Sequence, residues 1–234
     1  MQEPLTLDQR LSEMADIALR VKTCTLCDLY KGRNQAVPGD GPVTAELMFI
    51  GEGPGFNEDQ KGLPFIGQSG KFLDEMLALI GLDRKKVFIS NVVKCRPPEN
   101  RDPLPNEVST CTKTYLFRQI ELINPKIIVT LGRFSMGLFF PNAKITQIHG
   151  QPKRENGRIY LPMFHPAAVL RSMATLRPQA EADMRKLLVL LAEYDQAPPP
   201  AATVSPTSVT PTSTNPAGNS TVPPDEPPQQ LTLF

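Results

Sequence analysis

The stretch Leu47–Gly70, LMFIGEGPGFNEDQKGLPFIGQSG, decides the architecture. Leu47-Met48-Phe49-Ile50 is an apolar run of strand length. Beyond Gly67 the residues Leu73, Met76, Leu77 and Ile80 recur at helical spacing and predict a helix over Ser69–Ile80. The intervening Gly51–Gly70 segment holds six glycines and two prolines, with Glu52, Glu58, Asp59 and the apolar pair Phe65-Ile66. A plain connection needs only a few turn residues. Open α/β sheets hold ligands in long loops at the C-terminal ends of central strands. Glycines there let a ligand approach the backbone, and the exposed N–H groups can bind an anion.

Two familiar phosphate cradles do not fit. A P-loop needs GxxxxGK followed by Ser or Thr, but Phe65 stands where its first Gly belongs and Phe72 follows Gly70-Lys71. A dinucleotide fingerprint fails because Gly51, Gly53 and Gly55 lack the matching third glycine.

Outward from this loop, strands are predicted at Val87–Val93, Lys126–Leu131 and Arg158–Pro162. Helices are predicted at Asn106–Ile123, at Arg133–Phe139 and from Pro178 to about Tyr194. Leu7, Leu11, Met14, Ile17 and Val21 mark an N-terminal helix. Such alternation predicts an α/β fold with a mostly parallel sheet between helical layers. The N-terminus has no basic-then-apolar leader and no apolar run approaches about 18 residues, so a cytoplasmic protein without membrane spans is expected.

Composition shifts near Ala197. Residues 197–229 are dominated by Pro, Thr, Ser, Ala and Val, without Lys or Arg, and are expected to form a disordered linker. Residues 1–196 are the expected folded domain. The net charge of +1 becomes +3 once Asp225 and Glu226 of the tail are set aside, a mildly basic balance compatible with a nucleic-acid face.

The four cysteines are Cys24, Cys27, Cys95 and Cys111, a CxxC followed by two singles. In a cytosolic protein four thiolates suit zinc or an iron–sulfur cluster better than disulfides, and spacing alone does not choose between them. A redox CxxC would follow a strand, whereas this one follows a helix; four unligated buried cysteines are the plain alternative.

CTLCDL at 24–29, GEGPGFNEDQKGLPFIGQSG at 51–70, NVVKCRPPENRDPLPNEVSTC at 91–111, LGRF at 131–134 and FHPAAVLR at 164–171 together resemble family 4, the iron–sulfur branch of the uracil-DNA glycosylases. The resemblance spans almost all of residues 7–190. It implies a three-layer α/β/α fold with a four-stranded, mostly parallel sheet, and a [4Fe–4S] cluster on the four cysteines. It also implies a monofunctional enzyme that extrudes uracil from DNA and hydrolyses its N-glycosidic bond. Phe65 matches the ring that stacks on the base, with a plain core Phe as the alternative. Asn91 matches the reader of the uracil edge, otherwise a strand-end turn former. His165 matches the donor to uracil O2, while His149 reads as a loop residue.

Gly53 stands where better-known uracil glycosylases carry an Asp base, so Glu58, and after it Glu52, become the carboxylates expected to activate water. Val169, Leu170 and Arg171 are expected to meet the minor groove as wedge and phosphate contact, or else to start a helix on the sheet. Arg96 and Arg101 are expected phosphate contacts, with a solvated loop as the alternative. One branch of the superfamily cross-links itself to DNA through a His in a basic insert; the segment between Asn91 and Cys111 has no His, so cross-linking is not expected.

The chain ends Gln230-Leu231-Thr232-Leu233-Phe234. QLTLF resembles the pentapeptide that docks on the bacterial sliding clamp, with Leu231, Leu233 and Phe234 filling an apolar pocket and Gln230 making polar contacts. A monomer is expected. Two other functions compete with the uracil enzyme: a non-catalytic iron–sulfur DNA-binding protein tethered to the clamp, and a glycosylase of broader deaminated-base specificity.

Overall fold

The computed structural model describes residues 4–196. The linker at 197–229 and the peptide Gln230–Phe234 lie outside the described residues.

Helix α1 (Leu7–Thr23) starts at Thr6, whose hydroxyl accepts from the Gln9 N–H while Gln9 Oε1 accepts from the Thr6 N–H, a reciprocal cap. It buries Ile17 and Val21, and Arg10 ties it to the carbonyls of Val43 and Ile123 at 2.8 Å. Strand β1 (Leu47–Gly51) follows, then two helices, α2 (Phe56–Lys61) inside the glycine-rich loop and α3 (Gln68–Leu79). After β2 (Val87–Asn91) comes α4 (Pro105–Cys111), which passes through a π-turn at Thr112–Leu116 into α5 (Phe117–Ile123). Next are β3 (Ile127–Leu131), α6 (Arg133–Gly137), α7 (Ile145–Ile148), β4 (Lys153–Glu155) and β5 (Arg158–Met163). The short α8 (Pro166–Arg171) and the long α9 (Met173–Gln196) complete the described chain. No described helix is long and apolar enough to cross a membrane.

The sheet order is β2-β1-β3-β5-β4. The first three pairings are parallel and only β4 runs antiparallel, against β5. All five residues of β1 are buried, as expected where helices cover both faces of a parallel sheet. Alternation splits them: Leu47 and Phe49 pack on the face carrying Leu73, Leu77 and Leu187, while Met48 and Ile50 pack on the face carrying Ile17, Val21 and Leu116. This is the three-layer α/β/α arrangement.

The sheet has five strands among the described residues, one more than the expected four. The addition is β4, a charged edge strand, Lys-Arg-Glu, hairpinned to β5 through Asn156 and Gly157 at φ 51° and 71°. Asn-Gly is the preferred pair for such a turn, but a strand without apolar alternation gives no periodic signal. Residues beyond Asn91 leave the strand predicted to run to Val93, and α9 begins five residues before the predicted Pro178.

Candidate active site

The C-terminal ends of β1, β2, β3 and β5 open onto one cleft of about 730 Å³. Strand order reverses between β2 and β3 on either side of β1, which is where such sheets place their ligands. Glu52, Gly53, Glu58, Phe65, Asn91, Arg101, His165 and Arg171 all line it, from segments far apart in sequence.

Asn91 ends β2 and pairs in register with Gly51 of β1. Its side chain is buried, and among the described residues its Oδ1 has no hydrogen-bond partner. Leaving a buried carbonyl unpaired costs about 1–3 kcal/mol, a cost a bound ligand with an N–H would remove. Gly51 makes room: a Cβ there would lie 2.5 Å from Asn91 Oδ1 and 2.5 Å from the Phe65 ring.

Phe65 adopts the left-handed conformation at φ 51°, which costs a non-glycine residue about 1–3 kcal/mol. Arg84 holds it there. The guanidinium donates to the carbonyls of Pro64 (2.9 Å) and Phe65, and its Nε pairs with Asp74 at 2.5 Å. Gly70 leaves space beneath, since any Cβ would fall 1.7 Å from the Phe65 carbonyl oxygen. The Phe65 ring centroid then sits 5.8 Å from that of His165.

His165 caps α8. Its Nδ1 accepts from the Ala167 N–H at 3.2 Å, so the neutral ring carries its proton on Nε2. Burial, helped by the positive charge of Arg171 and opposed by Glu58, pushes its pKa down to about 4. The imidazole is therefore neutral at physiological pH. Gly132, at φ 85°, packs against it so closely that a Cβ would come within 2.9 Å of the His165 Cβ.

Glu58, the carboxylate expected to activate water, lines the cleft but is engaged by the backbone. Its Oε1 accepts from the N–H groups of Ile66 (2.8 Å) and Gly67 (2.9 Å), and its Oε2 from Gly55 (3.1 Å). The carboxylate pins the glycine-rich loop around Phe65. Glu52 keeps its carboxylate on the cleft, where burial and Asp102 raise its pKa against the pull of Arg133.

The groove contacts also need correction. Val169 is fully buried in the core beneath α8 and cannot wedge into DNA, because its helical position turns it to the sheet. Leu170 beside it is exposed. Arg101 grips the buried Glu107 with two bonds at 2.7 and 2.9 Å, so much of its guanidinium is already engaged. Arg96 lies outside the cleft lining, 5.3 Å over the exposed Phe56 ring and bonded to Asn100.

A second, smaller cavity is lined by Cys24, Cys27, Cys95 and Cys111 among Val21, Leu29 and Tyr115. Arg33 Nη1 donates to Cys95 Sγ at 3.2 Å, and the Lys94 N–H to Cys111 Sγ at 3.3 Å. Burial pushes the Cys95 thiol up and the Cys111 thiol up to about 11. Among the described residues no three His, Cys, Asp or Glu side chains converge closely enough to hold one metal ion. The cysteines surround a shared space rather than a point, and four thiols with N–H···S donors are a donor set that fits an iron–sulfur cluster.

The sequence matches the uracil DNA glycosylase superfamily over residues 38–189. It is 44% identical to the type-4 uracil-DNA glycosylase of Archaeoglobus fulgidus, aligning 76% of this chain with 92% of that protein. The type-4 enzyme of Thermotoga maritima is 43% identical over 68% of this chain and 84% of its own. The chain belongs to the uracil DNA glycosylase superfamily, in its type-4 branch. The type-5 enzyme of Pyrobaculum aerophilum is more distant, at 32% identity over 59% of this chain and 67% of its own.

Within this family frame, sequence reading missed Arg84, Arg133 and Lys94. Arg133 closes the cleft wall by pairing with Asp102. Arg84 acts through backbone carbonyls, which leave no trace in side-chain patterns. Lys94 had one visible signal, a charge inside the apolar run Val92-Val93-Lys94-Cys95.

Proposed function

We propose that this chain is a monofunctional uracil-DNA glycosylase that accepts an extruded uracil in the cleft and hydrolyses its N-glycosidic bond, the first step in repairing deaminated cytosine. The observation that carries the reading is the unpaired Oδ1 of Asn91 beside Phe65 and His165. Uracil presents an N3–H donor and an O4 acceptor, which an Asn amide satisfies with one oxygen and one N–H; cytosine presents the reverse pattern.

Phe65 stacks on the base. As the bond breaks, negative charge gathers on uracil O2, and the neutral Nε2–H of His165 donates to it without first losing a proton to solvent. The sugar reacts through a cation-like state that needs only weak help from water. Glu52 is the carboxylate that stabilises this cation or orients water, while Glu58 keeps the loop in shape. Arg171 and Leu170 meet the DNA backbone and groove, with Arg96 and Arg101 at the rim.

Cys24, Cys27, Cys95 and Cys111 would hold a [4Fe–4S] cluster, which supplies a covalent tie between α1, the segment after β2 and α4. The C-terminal Gln230, Leu231, Leu233 and Phe234 would dock on the bacterial sliding clamp. We read the enzyme as a cytoplasmic monomer acting on chromosomal DNA.

Oligonucleotides containing uracil, hypoxanthine or xanthine, treated with protein and then alkali, test the reading. Cleavage at uracil alone is the expected result. Cleavage at all three would broaden the specificity, and cleavage at none would overturn the enzymatic reading.

A further inference from the structure

We propose that Lys94 is a positioning residue for the uracil reader, its buried ammonium fixing the main chain of Asn91 and joining it to the cysteine site. The inference rests on the reading of Asn91 given above. Lys94 is 1% exposed, although it is a lysine. Its ammonium has three protons and the structure gives each a partner: Ser90 Oγ at 2.5 Å, the Asn91 carbonyl at 3.0 Å and Gln119 Oε1 at 2.8 Å. Gln119 in turn donates to the Pro38 carbonyl at 2.9 Å. One cation thus stitches the end of β2 to α5 and to the segment before β1.

The effect on Asn91 is direct. Its amide can meet uracil only if its backbone is fixed, and β1 fixes the segment from one side: Val92 and Val93 donate to the carbonyls of Gly51 and Glu52. Lys94 holds the Asn91 carbonyl itself. A group held within about 0.5 Å of its productive position needs such a second layer of support.

The other end of the residue faces the cysteines. The Lys94 N–H contacts Cys111 Sγ, and Cys95 is its chain neighbour. Its three oxygen partners are all neutral groups, and a buried ammonium costs several kcal/mol without a compensating charge. Hydrogen bonds from all three of its protons offset that cost in part. One residue thus touches both the uracil reader, through the Asn91 carbonyl, and the cysteine site, through its own N–H.

The test is a double-mutant cycle between Lys94→Met and Asn91→Ala, read by single-turnover kinetics on a uracil oligonucleotide, inhibition by free uracil, affinity for abasic DNA, and iron content with melting temperature. Lys94→Met should lower the uracil rate at least tenfold and weaken inhibition by uracil, with abasic-DNA affinity unchanged. In the Asn91→Ala background it should cost nothing more. An equal loss in both backgrounds, or a wild-type rate for Lys94→Met, overturns the proposal. Should Lys94→Met fail to fold or to retain iron, Gln119→Met removes one anchor and leaves the ammonium in place. It should give a smaller loss that also vanishes without Asn91; a loss of the same size in both backgrounds overturns the proposal. Wild-type protein inert on uracil would instead remove the enzymatic reading on which it rests.

Discussion

His165 and the two carboxylates make separate demands at the scale of single residues. A free imidazole titrates near 6.5, whereas burial brings His165 down to about 4. Between those values the unfolded chain takes up a proton that the folded chain refuses, so this residue's contribution to stability falls as pH drops from 6.5 toward 4. The neutral form of the folded chain persists across that window. Because the chain has only two histidines, a His149→Gln variant leaves one imidazole to follow by NMR. Its resonances should stay fixed from pH 8 to about 5.5; a midpoint near 6.5 would contradict the burial. Replacing His165 by Ala should lower the single-turnover rate about 10²–10³-fold, the usual cost of one oxyanion donor, with DNA affinity little changed. The carboxylates separate differently. Glu58→Gln loses an acceptor for backbone N–H groups and should lower the melting temperature as well as the rate, by about 1–3 kcal/mol of stability. Glu52→Gln makes no such bond and should slow the chemistry at wild-type stability. Reversed outcomes, measured by calorimetry and kinetics, would exchange the two roles.

At the scale of elements, the cleft depends on how loops are tied to the strand ends. Arg84, just before β2, holds the left-handed Phe65 through two carbonyls and is itself held by Asp74 on α3. Arg84→Met should release Phe65 from its strained conformation, lowering kcat/KM about tenfold, mostly through KM if stacking is lost before chemistry. A wild-type KM would show that α3 and Gly70 suffice. Such ties explain what could be read from sequence and what could not. The parallel core was legible because apolar runs such as Leu47–Ile50 are buried on both faces, and the structure brings Asn91 and His165, picked out by the family pattern around them, into one cleft. The hydrogen-bond load of Glu58 was not legible, because three N–H groups from Gly55, Ile66 and Gly67 converge on it only after the loop folds. Of the two readings of Val169, the helix packed on the sheet is the one the structure shows, and one residue of helical phase separates this buried position from the exposed Leu170. β4 escaped because its residues are all charged.

At the scale of the whole molecule, the cysteine site joins elements that the cleft does not. Cys24 ends α1, Cys95 follows β2 and Cys111 closes α4, so on the iron–sulfur reading loss of one cysteine should loosen one helical layer while leaving the β1–β3–β5 core paired. Cys95→Ser is expected to abolish visible absorbance and lower the melting temperature, with far-UV dichroism largely kept; an unchanged melting curve would mean that the cysteines carry no structural load. The tail raises a separate question, because residues 197–229 contain no Lys, Arg or aromatic residue and are dominated by Pro, Thr, Ser, Ala and Val. On the reading proposed above, their use is to link QLTLF to the glycosylase domain. Linking two binding modules makes the second binding event intramolecular, so a weak grip on the clamp would still keep the cleft near freshly copied DNA. Deleting residues 230–234 should therefore abolish clamp binding measured by calorimetry and leave the rate on a free oligonucleotide unchanged. On clamp-loaded circular DNA the same deletion should slow uracil removal severalfold. If the truncated chain kept its clamp affinity, or lost rate on the free oligonucleotide, the tail would belong to the catalytic domain and not to a tether.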